Sequence, residues 1–180
     1  MLDEARRLRS LRSYGILDTP RESEFDEIAV LLGKLCGADF AAINFVDSDR
    51  IWFKAIVGLN LENISIADSI CRLSLASGEM VVIDDLNEDE RTQDSIFVNG
   101  PPYLRFYANA LLRSPDGLIL GLMCVASRDP RPGGLNARQR AAMNALARRV
   151  EALLWLRRAI AAEGRQVGVA PYARSRSELA

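Results

Sequence analysis

The chain has 180 residues, of which 49% are hydrophobic and 26% are charged, and its formal net charge is -1. This balance predicts one globular domain with its own core, and the small net charge gives no field for binding nucleic acid or an anionic membrane. The sequence contains no histidine. That absence excludes Ser/His/Asp and Cys/His nucleophile pairs within one chain, and it also excludes His-ligated haem.

Cysteine spacing and hydropathy exclude further classes of protein. Cys36, Cys71 and Cys124 are far apart in sequence and form no CxxC motif, so neither a disulfide framework nor a zinc site is indicated. No apolar run approaches the roughly 20 residues that cross a bilayer. The charged start, MLDEARRLRSLRS, lacks the apolar core of a secretory signal. We therefore expect a cytoplasmic protein without a metal site.

Hydrophobic periodicity predicts two helices at the start of the chain. Residues 2–13 place leucines and an alanine along one stripe, with arginines elsewhere. Thr19 and Glu22 have the spacing of a capping box, with Pro20 at the first helical position. We expect the second helix to run from there to Gly37, which is a typical helix-ending residue.

Two hairpins are predicted from β-rich runs that turn residues separate. The four runs are residues 40–46, 51–57, 105–112 and 118–126. Between the hairpins, Ser65 and Asp68 are expected to cap a helix that Gly78 closes. A short strand over 80–83 and a long polar loop over 84–100 follow.

The last predicted helix begins at Asn136, where Gln139 completes a capping pair. The order of elements predicts an α+β fold. A central antiparallel sheet of about five to six strands carries the N- and C-terminal helices on one face, and a pocket helix and loops on the other. We expect residues 1–18 to be a helix and lead-in, residues 19–162 to be the domain, and residues 163–180 to be a flexible tail.

An ordered series of short motifs resembles one protein family. In chain order the motifs are RIWFK at 50–54, SIC at 69–71, NGPP at 99–102, RFYA at 105–108 and GLMCV at 121–125. This series is similar to the GAF domain family, in the subgroup common in bacterial signalling proteins. The resemblance implies a GAF/PAS-like sheet and a module that binds a small molecule or a protein and regulates an output domain.

The resemblance implies a pocket but not its ligand. Ligands of the family include cyclic nucleotides, linear tetrapyrroles, haem and small metabolites, so the cofactor is left unknown. The family motif Ser-Phe-Cys-Ala-His is matched here by residues 69–73, and Leu73 stands at the histidine position. The pocket wall is therefore expected to be more apolar than in the family. Because no output domain follows in this sequence, we expect the output in a partner such as a histidine kinase or a cyclase.

Candidate pocket residues come from the predicted pocket helix and from the strands that would face it. They are Phe45, Phe53, Ile70, Cys71, Leu73, Phe106, Tyr107 and Asn109. Because side chains alternate along a strand, at most one of Phe106 and Tyr107 lines the pocket, and Asn109 shares the face of Tyr107. A buried amide at Asn109 would need hydrogen-bond partners, from a ligand or from the long loop.

Three interpretations of Cys71 are open: an attachment point for a chromophore, a redox-sensing thiol, and a buried packing thiol. Packing is favoured, because free cysteine is among the most buried residue types and no histidine is available to accompany a tetrapyrrole. Some GAF proteins reduce free methionine sulfoxide with closely placed cysteines. Here Cys36 is predicted at a helix end and Cys124 in a strand, and neither shares a loop with Cys71.

We therefore expect a non-enzymatic sensory or regulatory module that dimerises through its first and last helices, where Trp155 lies off the main apolar stripe. A small ligand that orders residues 84–104 would bias the packing of those helices. Two alternatives stay open. One is a degenerate interaction scaffold without a ligand, and the other is a thiol redox sensor or a methionine sulfoxide reductase. No nucleic acid or membrane is expected as a partner.

Overall fold

One antiparallel sheet of six strands forms the centre of the fold. The strands are β1 (Phe40–Val46), β2 (Arg50–Val57), β3 (Asn63–Ser65), β4 (Val82–Ile83), β5 (Phe106–Arg113) and β6 (Ile119–Ser127). They lie in the order β3-β2-β1-β6-β5-β4. The structure is a computed structural model, and it describes residues 2–167.

Within residues 2–167, five helices lie around this sheet. They are α1 (Leu2–Ser13), α2 (Ser23–Cys36), α3 (Arg72–Ser77), α4 (Ile96–Asn99) and α5 (Ala137–Val167). α1, α2 and α5 supply buried side chains to the core on one face of the sheet, here called the helix face. The segment leading into α3 and the α4 region supply the core on the opposite face, here called the pocket face. The α+β architecture expected from the sequence is confirmed.

Alternation along the strands assigns each side chain to one of these faces. In β1, Ile43 and Phe45 belong to the helix-face core, whereas Phe40 and Val46 belong to the pocket-face core. All seven residues of β1 are buried, because the strand lies inside the sheet and both of its faces are covered. Within residues 2–167, no helix is long and apolar enough to cross a membrane.

The second helix begins later than the capping-box pattern predicts. α2 starts at Ser23, and Glu22 in the cap position makes no side-chain capping bond. Thr19 instead donates its hydroxyl to the carbonyl oxygen of Ile16 and accepts a hydrogen bond from Lys54. The capping-box prediction was wrong because the buried ammonium of Lys54 takes both of the oxygens that would have served the helix.

Other elements also differ from the expected ones, among them β4, which begins at Val82 rather than at residue 80. α3 begins at Arg72, and Ser65 and Asp68 close a turn before it, with the Asp68 amide 3.1 Å from the Ser65 hydroxyl oxygen. The short strand β3 lies in a stretch predicted to be a loop. α5 has the predicted capping pair but continues beyond residue 162 to Val167. The rest of the predicted tail, residues 168–180, lies outside the described residues.

A buried ion pair connects the lead-in to α2, the sheet and α5. The side chain of Lys54 is 0% exposed, and its Nζ lies 2.6 Å from Glu22 Oε1. Its ammonium also lies near the rings of Phe25 and Trp52. Arg157 of α5 donates to both oxygens of the same Glu22 carboxylate at 2.9 Å. One carboxylate therefore joins three elements of the helix face.

Glu22→Gln is expected to lower the free energy of unfolding by about 1–3 kcal/mol at pH 7, because the Lys54 charge stays buried without its counter-ion. Burial acts to raise the pKa of Glu22, but Lys54 and Arg157 outweigh it and the pKa is lowered. The stabilisation is therefore present above the ordinary glutamate pKa of about 4.3 and is lost as the pH falls through the lower folded value. Urea unfolding between pH 3 and pH 7 measures this.

Glu27→Gln is the matched control, since Glu27 is an exposed carboxylate on the same helix. An equal loss of stability in both variants, or a Glu22→Gln loss that does not shrink toward pH 3, would contradict this account of the ion pair.

Gly121 is the point of closest approach between β6 and β1. A Cβ atom there would overlap the carbonyl oxygen of Asn44, which is backbone and cannot rotate away. We expect Gly121→Ala to lower the free energy of unfolding by about 3 kcal/mol or more, because the central strands would have to separate. Chemical denaturation measures the change.

Gly33→Ala tests the specificity of that effect. Its Cβ would meet the side chain of Ala41 at 3.3 Å and the carbonyl oxygen of Ala38 at an ordinary 3.8 Å, and the added helix propensity partly offsets the first contact. We expect a change within about 1 kcal/mol. Similar losses at both glycines would mean that the close strand contact is not the cause.

Candidate functional site

A small cavity lies on the pocket face, between the sheet and the segments that cover it. Its volume is about 80 Å³. Its walls include Phe40 and Ala42 of β1, Phe53 of β2 and Ile70 before α3. Phe97 and Leu104 also line it, and they belong to the segment between β4 and β5 (residues 84–105, including α4), here called the long loop. Almost all of this lining is apolar, and the polar atoms belong to Ser69, Cys71, Cys124 and Tyr107.

The size of the cavity limits what it holds in this conformation. Drug-sized ligand sites enclose about 300–1,000 Å³, and an apolar cavity of about 150 Å³ holds benzene. A space of about 80 Å³ therefore accepts a few water molecules or a very small ligand. A larger ligand would require movement of the covering segments.

A polar cluster lies behind the apolar lining of the cavity, and three of its members, Cys71, Tyr107 and Cys124, belong to that lining. The hydroxyl oxygen of Tyr107 lies 3.2 Å from the sulfur of Cys71. The side-chain amide nitrogen of Asn44 lies 3.8 Å from that sulfur and 3.7 Å from the sulfur of Cys124. Asn44 is fully buried, and among the described residues its amide oxygen has no hydrogen-bond partner. We call Asn44, Cys71, Tyr107 and Cys124 the floor cluster.

Asn109 attaches the covering segments to the sheet. Its amide group donates to the Ser74 hydroxyl at 2.6 Å and to the Tyr107 hydroxyl at 3.1 Å, and its oxygen accepts from the Val81 amide at 3.3 Å. Ser74 lies in α3 and Val81 precedes β4, so one buried side chain connects both to β5. Asn109 does not itself line the cavity.

The floor cluster shifts the pKa values of its two thiols in opposite directions. Hydrogen bonding from Cys124, together with that from Ser69, Tyr107 and Asn44, lowers the pKa of Cys71 although burial opposes it. The interaction with Cys71 and burial both raise the pKa of Cys124. Burial and the charge of Cys71 also raise the pKa of Tyr107.

The structure brings together some of the candidate pocket residues and separates others. Phe53, Ile70, Cys71 and Tyr107 line the cavity. Leu73 is half-buried and packs against the pocket-face core.

Phe45 and Phe106 were expected to line the pocket, but both are fully buried in the helix-face core. The reason is strand alternation: Tyr107 and Asn44 face the pocket, so their neighbours Phe106 and Phe45 face the opposite way.

Sequence reasoning missed two residues of the floor cluster, Asn44 and Cys124. Cys124 lies directly between Ala42 of β1 and Asn109 of β5 in the sheet register. Its proximity to Cys71 depends on how the segment before α3 folds over β6, for which the sequence carries no local signal. Asn44 offered one signal, a polar residue inside an otherwise apolar strand run. Among the described residues, no group of three or more His, Cys, Asp or Glu side chains is placed to hold a metal ion.

Family comparison identifies the class of protein. The family model described as GAF domain matches residues 20–154. The chain therefore belongs to the GAF domain family. Solved structures that share its fold include domains of sensor and signalling proteins.

One curated relative is a cyclic di-GMP phosphodiesterase of Pseudomonas aeruginosa, which is 33% identical over 150 residues. The match includes 83% of the chain but only 25% of that enzyme, so the chain spans about a quarter of its length.

Two solved structures illustrate the range of proteins that share the fold. The GAF domain of an Acinetobacter phosphoenolpyruvate-protein phosphotransferase has a TM-score of 0.63 and 14% identity over 87% of this chain and 97% of its own. The free methionine-R-sulfoxide reductase of Neisseria meningitidis has a TM-score of 0.61 and 19% identity over 83% of this chain and 87% of its own. At these identities the likeness shows the fold alone.

Asn109→Ala is expected to lower the free energy of unfolding by about 2–4 kcal/mol, because it removes the partners of several buried polar groups. Hydrogen exchange should also speed up selectively in α3 and around residue 81. Asn99→Ala is the control, since its exposed amide donates one hydrogen bond, to Gln93. Faster exchange throughout the sheet, with no selectivity for the covering segments, would contradict the attachment role.

Proposed function

We propose that the chain is a sensory or regulatory GAF module without catalytic activity of its own, and that its pocket-face cavity takes a small ligand. The observation that carries this proposal is an apolar cavity on the pocket face, with Cys71, Tyr107 and Cys124 in its lining. Apolar walls with a few polar groups are typical of small-molecule sites.

The signal would pass from the cavity to α5 through the long loop. Phe97 and Leu104 of this loop line the cavity. Asp84, at the start of the loop, accepts two hydrogen bonds. Its carboxylate accepts one from the Gly133 amide at 2.7 Å, and its backbone carbonyl oxygen accepts one from the Arg131 amide at 2.8 Å. Arg131 and Gly133 belong to the turn that leads directly into α5. A ligand that shifts the loop would therefore bias the position of α5.

The proposed output is a signalling enzyme in the same or a partner polypeptide. The curated relative is a cyclic di-GMP phosphodiesterase, and one fold neighbour is a domain from a Sinorhizobium meliloti sensor histidine kinase protein. A phosphodiesterase, a histidine kinase or a cyclase is thus the class of partner that we propose. The proposed location is the cytoplasm.

Native and denaturing mass spectra of the freshly purified protein test the ligand proposal. A bound mass that is lost on denaturation would support a sensor and would give the ligand's weight. Mass that survives denaturation would indicate covalent attachment at Cys71 instead. A bare protein that also gains no mass on incubation with a library of small metabolites would contradict the ligand proposal.

The last helix, α5, and the neighbouring α2 form the proposed homodimer contact, in place of the first and last helices expected from the sequence. α5 exposes Trp155, Leu156 and Ile160 with 56%, 58% and 61% of their surfaces free, and α2 exposes Leu31 and Leu35. Large apolar side chains clustered on a helix surface are typical of interaction sites. Because α5 would also carry the signal, a dimer formed there would let one chain influence the other.

Replacing both Trp155 and Leu156 by Asp is expected to weaken dimerisation at least tenfold, about 1.4 kcal/mol, with little change in thermal stability. Sedimentation equilibrium measures this. Ile96→Asp is the control, because Ile96 is equally exposed but lies in α4 beside the long loop. A wild-type chain that is monomeric at all concentrations, or a control that dissociates to the same extent, would contradict the helix contact.

A degenerate interaction scaffold is the second candidate function. The small volume of the cavity favours it, as does Leu73 at the position where related motifs carry a polar residue. The reductase alternative has less support, since Cys36 is buried in the helix-face core, away from Cys71 and Cys124.

A further inference from the structure

Two cysteines distant in sequence line the same cavity and contact the same buried amide group. Cys71 immediately precedes α3, and Cys124 lies in the middle of β6. Both side chains line the cavity. A single amide group, that of Asn44, lies within 3.8 Å of one sulfur and 3.7 Å of the other. Among the described residues, the third cysteine, Cys36, is buried on the other face of the sheet.

The cavity suits a very small oxidant better than a large ligand. One water molecule needs about 10–15 Å³ of space of this kind, so about 80 Å³ has room for a molecule with two oxygen atoms. The Tyr107 hydroxyl, 3.2 Å from the Cys71 sulfur, is placed to stabilise a thiolate there.

We propose that Cys71 and Cys124 are a peroxide-sensitive thiol pair that closes into an intramolecular disulfide across the cavity floor. This inference goes beyond the proposed function, because it requires neither a reversibly bound ligand nor an output domain. The co-reactant is hydrogen peroxide. The pair would add a chemical input to the pocket face.

The chemistry proceeds in two steps. In the first step the Cys71 thiolate attacks one peroxide oxygen, so that an S–O bond forms, the O–O bond breaks, and the hydroxide released takes up the thiol proton as water. In the second step the Cys124 sulfur attacks the sulfenic sulfur of Cys71. The S–S bond forms, the S–O bond breaks, and a second water leaves with the Cys124 proton. The two thiols lose two electrons, and the peroxide gains them.

Closure of this disulfide would change the attachment of the covering segments. The Cys71 sulfur would turn from the Tyr107 hydroxyl toward β6 and draw the start of α3 with it. Tyr107 also accepts a hydrogen bond from Asn109, which connects α3 and the segment before β4 to the sheet. Oxidation would therefore reach the same segments that a ligand would move.

The sequence allows a direct test, because trypsin places each cysteine in a different peptide: residues 35–50, 55–72 and 114–128. The full chain is treated with hydrogen peroxide, alkylated under denaturing conditions, digested without reductant and analysed by mass spectrometry. We expect peptides 55–72 and 114–128 to appear joined, with a mass two hydrogens below their sum, and to separate on reduction. Peptide 35–50 should stay alkylated.

Two variants sharpen the result. Cys36→Ser should leave the disulfide unchanged. Cys124→Ser should abolish it and leave Cys71 to oxidise further, to the sulfinic acid. If Cys124→Ser fails to fold, the peptide map of the wild-type chain remains decisive by itself.

Several results would overturn the thiol pair. One is a disulfide-linked peptide pair that includes peptide 35–50. Another is the formation of disulfides only between two chains. A third is oxidation of the thiols only above the temperature at which the protein unfolds. None of these affects the mass spectra that test for a bound ligand, so failure here is distinguishable from failure of the proposed function.

Discussion

The alternation of side chains along the three inner strands β1, β6 and β5 is the constraint on which the rest of the structure depends. These strands are paired on both edges, so each successive residue must enter one of two cores. Ile43 and Phe45 point one way and Asn44 the other. A shift by one residue would bury two large side chains in the cavity and put a polar amide among the helices. The close approach at Gly121 holds β1 and β6 at the spacing this register requires.

The fold was largely predictable because its signals are local. The two hairpins are alternating or apolar runs between turn residues, and Asn136 with Gln139 forms the capping pair expected of a helix start. Gly37 and Gly78 end helices in the left-handed conformation that favours glycine. The capping box at Thr19 failed for a non-local reason: Lys54, distant in sequence, is buried and takes the available oxygens.

The candidate site was only partly predictable. Alternation correctly paired Tyr107 with Asn109 on one face, but it does not say which face holds the cavity, and that is why Phe45 and Phe106 were assigned to it. Proximity of Cys71 and Cys124 depends on sheet register and on a covering segment that has little regular structure. Those are tertiary facts without a local pattern. The resemblance to GAF domains indicated where the pocket helix belongs, but not what the pocket holds.

The central claim is that a change in the cavity reaches α5 through the long loop. Ala42→Val tests it most directly, because Ala42 lines the cavity and the two added methyl groups would occupy it as a small ligand would. Hydrogen exchange of wild type and variant should be compared peptide by peptide. The account predicts slower exchange over residues 84–104 together with altered exchange in α5. Slowing confined to the strands beside residue 42, with α5 unchanged, would contradict it.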